Sequence, residues 1–124
     1  MSENVRQTRQ QMRAQNAYGC VSSVEKEKVI KEKETEDYAQ IAKKFPALVH
    51  NCGLAQAIAF VQAKEGETGE TYIAHLTKTM MSEEGDIGSA SRSADLMKYQ
   101  RLTREVIESA TWLKRYSEAL LVVD

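Results

Sequence analysis

Histidine and cysteine offer the first possible chemistry in this sequence. His50 and Cys52 lie two positions apart, and these residue types are those of a metal site or a Cys–His dyad. However, residues two apart on a helix point in different directions, and a zinc ion takes three or four ligands from a chain that holds two His and two Cys. Nothing in the sequence arranges Cys20 and His75 around this pair. The sequence therefore predicts no metal site, and reduced thiols that pack as small hydrophobic side chains.

Carboxylates and glycines give no catalytic arrangement either. The acid pairs Glu36/Asp37 and Glu83/Glu84 are adjacent in the sequence, so they do not face one another across a helix. The glycines of the stretch Glu65–Gly69 lie among acids, which repel phosphate, and no nucleophile elbow is present. We therefore expect a chain with no catalytic residue, no cofactor and no small-molecule substrate.

Basic side chains are the remaining chemistry, and they are unevenly distributed. Residues 4–24 contain no acid, and residues 92–104 are again rich in Lys and Arg, although the net charge is −1. Such residues either neutralise the phosphates of a nucleic acid or simply solvate exposed helix faces. The candidates for RNA contact are Arg9, Arg13, Lys43, Lys44, Arg104, Lys114 and Arg115.

Two aromatic residues near the C-terminus form a second kind of candidate. Trp112 and Tyr116 lie one turn apart on the last predicted helix, off its apolar face. An aromatic side chain in this position either covers the edge of the core or anchors a partner protein. We treat both residues as candidate interface residues.

The composition predicts that helices position these side chains. One proline and six glycines in 124 residues, with abundant helix formers, favour an all-α fold. We expect a single domain over residues 1–124, a compact bundle of five to six helices around a buried central helix at about 54–64. That segment is apolar almost all round, which is typical of a helix buried on every side. A flexible loop is expected at about 82–93.

The helix boundaries follow from periodicity and from breaker residues. The first helix is expected from Ser2 or Glu3 to about Lys33, and the second after Thr35. Pro46 either ends or kinks that second helix, or begins a new short helix as far as Asn51. A turn is expected at 65–69, followed by a helix that ends near Gly85. A short helix at 94–100 should precede the last one, at 103–121.

The sequence contains no predicted membrane segment. Its longest apolar stretch, Leu54–Ala63, is half the length of a membrane span and is interrupted by Gln56 and Gln62. The N-terminal residues have no apolar signal core. We therefore expect a cytoplasmic protein with no membrane partner.

Two stretches together resemble a known family. The first runs from Lys43 to Val61 and reads KKFPALVHNCGLAQAIAFV. The second comprises Tyr99, Leu102-Thr103 and the segment Trp112-Leu-Lys-Arg115. They are similar to the small helical subunit of type III-B CRISPR effector complexes, over residues 38–120. Cys52 stands where that family often has Asn beside the glycine.

The resemblance implies a role as a non-catalytic subunit in antiviral defence. Copies of such subunits stack along an RNA-guided complex, beside its backbone subunits and against its large subunit. They contact the target RNA and its duplex with the guide RNA electrostatically. Lys43 and Lys44 match the basic turn of the motif, and Lys114 and Arg115 match its C-terminal basic pair. The basic N-terminal segment matches no motif, so its role is inferred from charge alone.

Two other function classes stay open at this point. A helical protein–protein adaptor would carry basic residues scattered over all its faces and would not bind RNA. An enzyme would need a pocket with convergent titratable groups.

Overall fold

The computed structural model describes residues 7–27, 32–80 and 86–121. They contain six α-helices and no strand, so the predicted all-α bundle is confirmed. The helices are α1 (Arg9–Lys26), α2 (Glu32–Cys52), α3 (Leu54–Lys64), α4 (Gly66–Met80), α5 (Ile87–Ser93) and α6 (Leu96–Leu120).

Helix α1 begins at a capping box. The Thr8 hydroxyl accepts a hydrogen bond from the Gln11 backbone N–H at 3.0 Å, and the Gln11 side chain accepts one from the Thr8 N–H at 2.8 Å. The helix therefore begins at Arg9, whereas the expected start at Ser2 or Glu3 lies outside the described residues. The expected continuation to Lys33 is wrong, because α1 ends at Lys26.

Helix α2 runs uninterrupted through Pro46, so the predicted end of the helix, or new helix start, at this residue is wrong. A proline inside a helix removes one backbone hydrogen bond and crowds the preceding turn. Here the buried side chains lie on one face both before and after it, including Tyr38, Phe45 and Val49. Packing of both halves against the same core offsets the local cost of the proline. The helix also starts earlier than expected, at Glu32, with Thr35 buried inside it.

Gly53 joins α2 to α3, as the sequence predicted. Its φ of 86° and ψ of 158° belong to a region that essentially only glycine adopts. Its N–H still donates to the Val49 carbonyl at 2.9 Å. The Tyr99 hydroxyl, from α6, accepts a hydrogen bond from the Ala55 N–H at 3.0 Å. This junction is therefore fixed both by backbone conformation and by a contact from a distant helix.

Helix α3 is buried on one face only, so the expectation of an all-round buried central helix is wrong. Leu54, Ala57, Ile58 and Val61 are buried, whereas Phe60 is 48% exposed. The centre of the bundle is instead shared by α4, which packs against α1, α2, α3 and α6, and by α6, which packs against α1, α2 and α4. The buried face of α6 includes Leu102, Val106, Ala110, Leu113 and Ser117, as its periodicity predicted.

The remaining connections are shorter than expected. Glu65 caps the end of α3, and α4 begins at the next residue, Gly66. The turn predicted over 65–69 is therefore shorter than expected. Residues 87–93, expected to be loop, form α5, because the Asp86 carboxylate caps it and Ile87 is fully buried. The rest of that expected loop, 82–85, lies outside the described residues. The separate helix expected at 94–100 is instead the first part of α6.

Candidate nucleic-acid interface

Lys43 and Lys44 lie on the outer side of α2. The inner side of this helix is occupied by buried residues such as Ile41, Ala42 and Phe45, so the two lysines are left exposed. Lys44 also borders a narrow groove between α2 and α3, which is lined by Gln40, Ile41, Phe45, Leu48, Phe60, Val61 and Glu65. Both lysines are therefore open to a partner, and Lys44 is so at this groove.

The second predicted basic pair lies on α6. Arg104 and Arg115 are exposed, and Lys114 is half-buried. The guanidinium carbon of Arg115 lies 5.8 Å from the centre of the Trp112 ring, which is within the range of a cation–π contact. No contact among the described residues joins this pair to Lys43 and Lys44. The candidate cations therefore form two separate basic positions on the molecule.

Arg13 does not belong to the basic surface, so its prediction as an RNA contact is wrong. The residue is 4% exposed and lies between α1 and α6. Its Nη1 donates to the Glu108 carboxylate at 3.3 Å, while its Nε has no hydrogen-bond partner within the described part of the chain. The sequence contained a signal for this burial, because position 13 lies four residues before the buried Ala17 and shares its helix face.

Trp112 and Tyr116 lie at the edge of the core beside α1. Both are partly buried and pack against the hydrophobic cluster. Their rings are stacked, with centres 5.8 Å apart and planes inclined by 20°. The Trp112 indole N–H donates to the Gln10 side-chain oxygen at 2.7 Å, which brings the exposed Arg9 at the start of α1 close to this region. Sequence reasoning placed these two residues off the apolar face, but it did not identify α1 as their neighbour.

Tyr18 is the aromatic residue that the sequence interpretation missed. It is 51% exposed, and its ring meets Tyr116 edge to face, with centres 5.5 Å apart. Tyr18 precedes Gly19 within the acid-free segment, and the charge of that segment gives no indication of an aromatic contact. Helix periodicity alone indicates that Tyr18 is exposed, because position 18 lies outside the stripe of buried residues that includes Ala17.

A buried polar cluster joins α1, α2 and α4. The Tyr38 hydroxyl lies 2.7 Å from His75 Nδ1, and the Cys20 thiol lies 4.0 Å from the His75 carbonyl oxygen. Burial lowers the pKa of His75 and raises the pKa values of Tyr38 and Cys20. Cys20 thus packs in the core as predicted, whereas Cys52 is exposed. Within the described ranges, no group of three or more His, Cys, Asp or Glu side chains is placed to hold a metal ion.

Comparison with known proteins identifies the family. The sequence model described as "CRISPR-associated protein (Cas_Cmr5)" matches residues 9–120. This chain belongs to the Cmr5 family. The resemblance read from the Lys43–Val61 stretch and the C-terminal Trp-Leu-Lys-Arg segment is thereby confirmed.

Two matches come from Thermus thermophilus. One is the protein named "CRISPR system Cmr subunit Cmr5", which is 36% identical over 115 residues, 92% of this chain and 96% of the relative. The other is the crystal structure of a CRISPR-associated Cmr5 family protein, which matches with a TM-score of 0.81 at 36% identity. That match covers 94% of this chain and all of the crystallised one. The helical bundle is therefore the fold of the Cmr5 family.

The helices were also compared with the length and hydropathy that a bilayer span requires. Among the residues that the structure describes, no helix is both long and apolar enough to cross a membrane.

Proposed function

We propose that this Cmr5-family chain is a non-catalytic small subunit of a type III-B CRISPR ribonucleoprotein. In this proposal several copies stack along the complex, next to its backbone subunits and its large subunit in the cytoplasm. The family match over residues 9–120 is the observation that carries the proposal. The relative named as a Cmr subunit supports the same assignment.

The proposed RNA contact is made through the phosphate backbone. Its main residues are Lys43, Lys44, Lys114 and Arg115, which we call the cationic set, with Arg9 and Arg104 as further contacts. Each has its side chain at least partly exposed, and phosphate contacts position a protein without reading sequence. This mode suits a subunit of an RNA-guided complex, in which base pairing supplies the specificity. Duplex RNA, moreover, presents phosphates and shape more readily than base edges.

The test measures the affinity of the assembled complex for target RNA at one fixed ionic strength. Replacing the cationic set by Ala should weaken binding similarly for every guide sequence, because phosphate contacts do not depend on the bases. The matched control replaces four other exposed cations by Ala, namely Lys26, Lys64, Arg92 and Arg101, and so removes the same total charge. Equal loss of affinity in both variants would mean that overall charge, and not these positions, is responsible.

A protein–protein adaptor is the alternative, and one feature favours it. Leu96 and Met97, adjacent at the start of α6, are 71% and 78% exposed. Large apolar side chains exposed side by side are typical of protein contact sites. If the cationic-set variant binds RNA with unchanged affinity and still enters the complex, the adaptor function is correct. Substituting Leu96 and Met97 by Ser would then reduce incorporation.

A further inference from the structure

Four side chains from α1 and α6 form a continuous row. Arg115 lies over the Trp112 ring, Trp112 stacks on Tyr116, and Tyr116 meets Tyr18 edge to face. We call the three rings the aromatic row. Neighbouring centres along it are 5.8 Å and 5.5 Å apart. Such spacings are typical of attractive aromatic pairs, so the row holds its rings in fixed positions.

The rings at the two ends of the aromatic row differ in how accessible they are to a ligand. Trp112 contacts Arg115 and Tyr116 through its ring, and its N–H is bonded to Gln10. Tyr18, at the other end, is 51% exposed. A planar ligand that approaches the row therefore meets Tyr18 first.

The polar surroundings of Tyr18 favour an anionic ligand. Residues 7–24 of the described chain contain no Asp or Glu. One turn from Tyr18 on the same helix face lie Gln15 and Ser22, which donate and accept hydrogen bonds without carrying charge. Of the acids nearby, Glu108 of α6 is paired with Arg13, and Glu25 lies two turns from Tyr18 along α1.

We infer that Tyr18 is a stacking site for an unpaired nucleobase of RNA. A base that stacks on an aromatic side chain needs an accessible ring next to a positively charged backbone track. Tyr18 supplies the ring, and Arg115 supplies a positive charge at the other end of the row. A duplex does not satisfy this site, because its bases are already stacked on one another. The ligand is therefore an RNA segment with at least one unstacked nucleotide.

This inference rests on the proposed function, because it assumes that the chain binds RNA. It differs in the kind of contact that is made. The cationic set contacts phosphates, whereas Tyr18 contacts a base. The two modes respond differently to salt, because stacking between neutral groups releases no counterions. Tyr18 variants should therefore lower the affinity for RNA and leave its salt dependence nearly unchanged.

The test uses the assembled complex and target RNA that carries 4-thiouridine. Tyr18→Leu keeps an apolar side chain and removes the ring, so it should weaken RNA binding at least about fivefold, whereas Tyr18→Phe should bind within about twofold of wild type. Tyr18→Phe is the matched control, because it keeps the ring and removes only the hydroxyl group. Irradiation should cross-link the RNA to the peptide that contains Tyr18, and not to Tyr99, whose hydroxyl is bonded to Ala55.

The outcomes separate this inference from the proposed function. Unchanged binding by Tyr18→Leu, together with weaker binding by the cationic-set variant, overturns the stacking site alone. Unchanged binding by both variants overturns the stacking site and the phosphate contact. A Tyr18→Leu chain that melts normally but fails to enter the complex shows that Tyr18 contacts protein, which also overturns the inference. The absence of a cross-link at Tyr18 overturns it whatever the stability of the variant.

Discussion

Arg13 illustrates, at the scale of single residues, how burial changes what a basic side chain does. An exposed arginine is a candidate for phosphate contact, but a buried one must be paired within the protein. Arg13 is buried against α6 and uses Glu108 as its counter-charge. The charge of Arg13 is therefore used in an ion pair within the protein, and not in the RNA contact that the sequence suggested.

The pair predicts an asymmetric response to mutation. Glu108→Ala leaves a buried guanidinium without a counter-charge, so it should lower the free energy of unfolding by about 2 kcal/mol. Adding Arg13→Met to that variant should recover most of the loss, because an apolar side chain of similar length needs no partner. Urea denaturation at neutral pH measures both effects. A Glu108→Ala chain as stable as wild type would show that the pair does not offset the burial of Arg13.

His75 gives the second prediction at this scale, a loss of stability in mild acid. Burial, with a smaller effect of the nearby Lys78 charge, lowers its pKa below the ordinary value of 6.5. Below pH 6.5 the unfolded chain therefore binds more protons than the folded one. The contribution of neutral His75 to the free energy of unfolding is therefore fully present above pH 6.5. It is lost as the pH falls toward the pKa of His75 in the folded chain.

Thermal unfolding between pH 5 and pH 8 tests this prediction. His75→Gln should flatten the pH dependence of the melting temperature over that range. His50→Gln is the matched control, since His50 is exposed and its substitution should leave the wild-type profile unchanged. Parallel profiles for wild type and His75→Gln would contradict the prediction.

At the scale of helices, periodicity predicted the faces better than the ends. The buried face of α6 and the break at Gly53 followed from residue type and spacing. Pro46 did not break α2, because the packing on both sides of it outweighs its local preference. Helix α3 is apolar enough to be surrounded, but its burial depends on how many helices lie next to it, and a single sequence does not contain that information.

Two glycines of opposite role give the prediction at this scale. Gly53→Ala forces a side chain into a backbone region that disfavours it, so the free energy of unfolding should fall by about 1–3 kcal/mol. Space is not the reason, since an added Cβ would lie 3.6 Å from the Tyr99 hydroxyl, an ordinary contact. Gly19→Ala is the control, because that glycine lies inside α1 with nothing within 4 Å of an added Cβ. It should stabilise the chain by about 0.5–1 kcal/mol. Equal effects of the two substitutions would contradict this interpretation.

At the scale of the whole molecule, the candidate surface is divided among several helices. Lys44 borders the α2–α3 groove, whereas Arg115 and the aromatic row lie where α6 meets α1. The cations that the sequence singled out are at least partly exposed except for Arg13, because charged side chains usually face water. It did not predict the aromatic row, which depends on two helices that are distant in the chain. A surface with few contacts per subunit becomes effective when stacked copies share one RNA.

The most direct test of RNA contact by the cationic set is the salt dependence of target-RNA binding. The affinity of the reconstituted complex is measured across a salt series, with wild-type chain and with the variant in which Lys43, Lys44, Lys114 and Arg115 are Ala. Each phosphate contact that is lost should reduce the slope of log affinity against log salt concentration by about 0.7 to 0.9. We expect a shallower slope and weaker binding, with an almost unchanged melting temperature, because exposed charges contribute little to stability. If the variant enters the complex and both affinity and slope equal those of wild type, these four residues do not contact RNA.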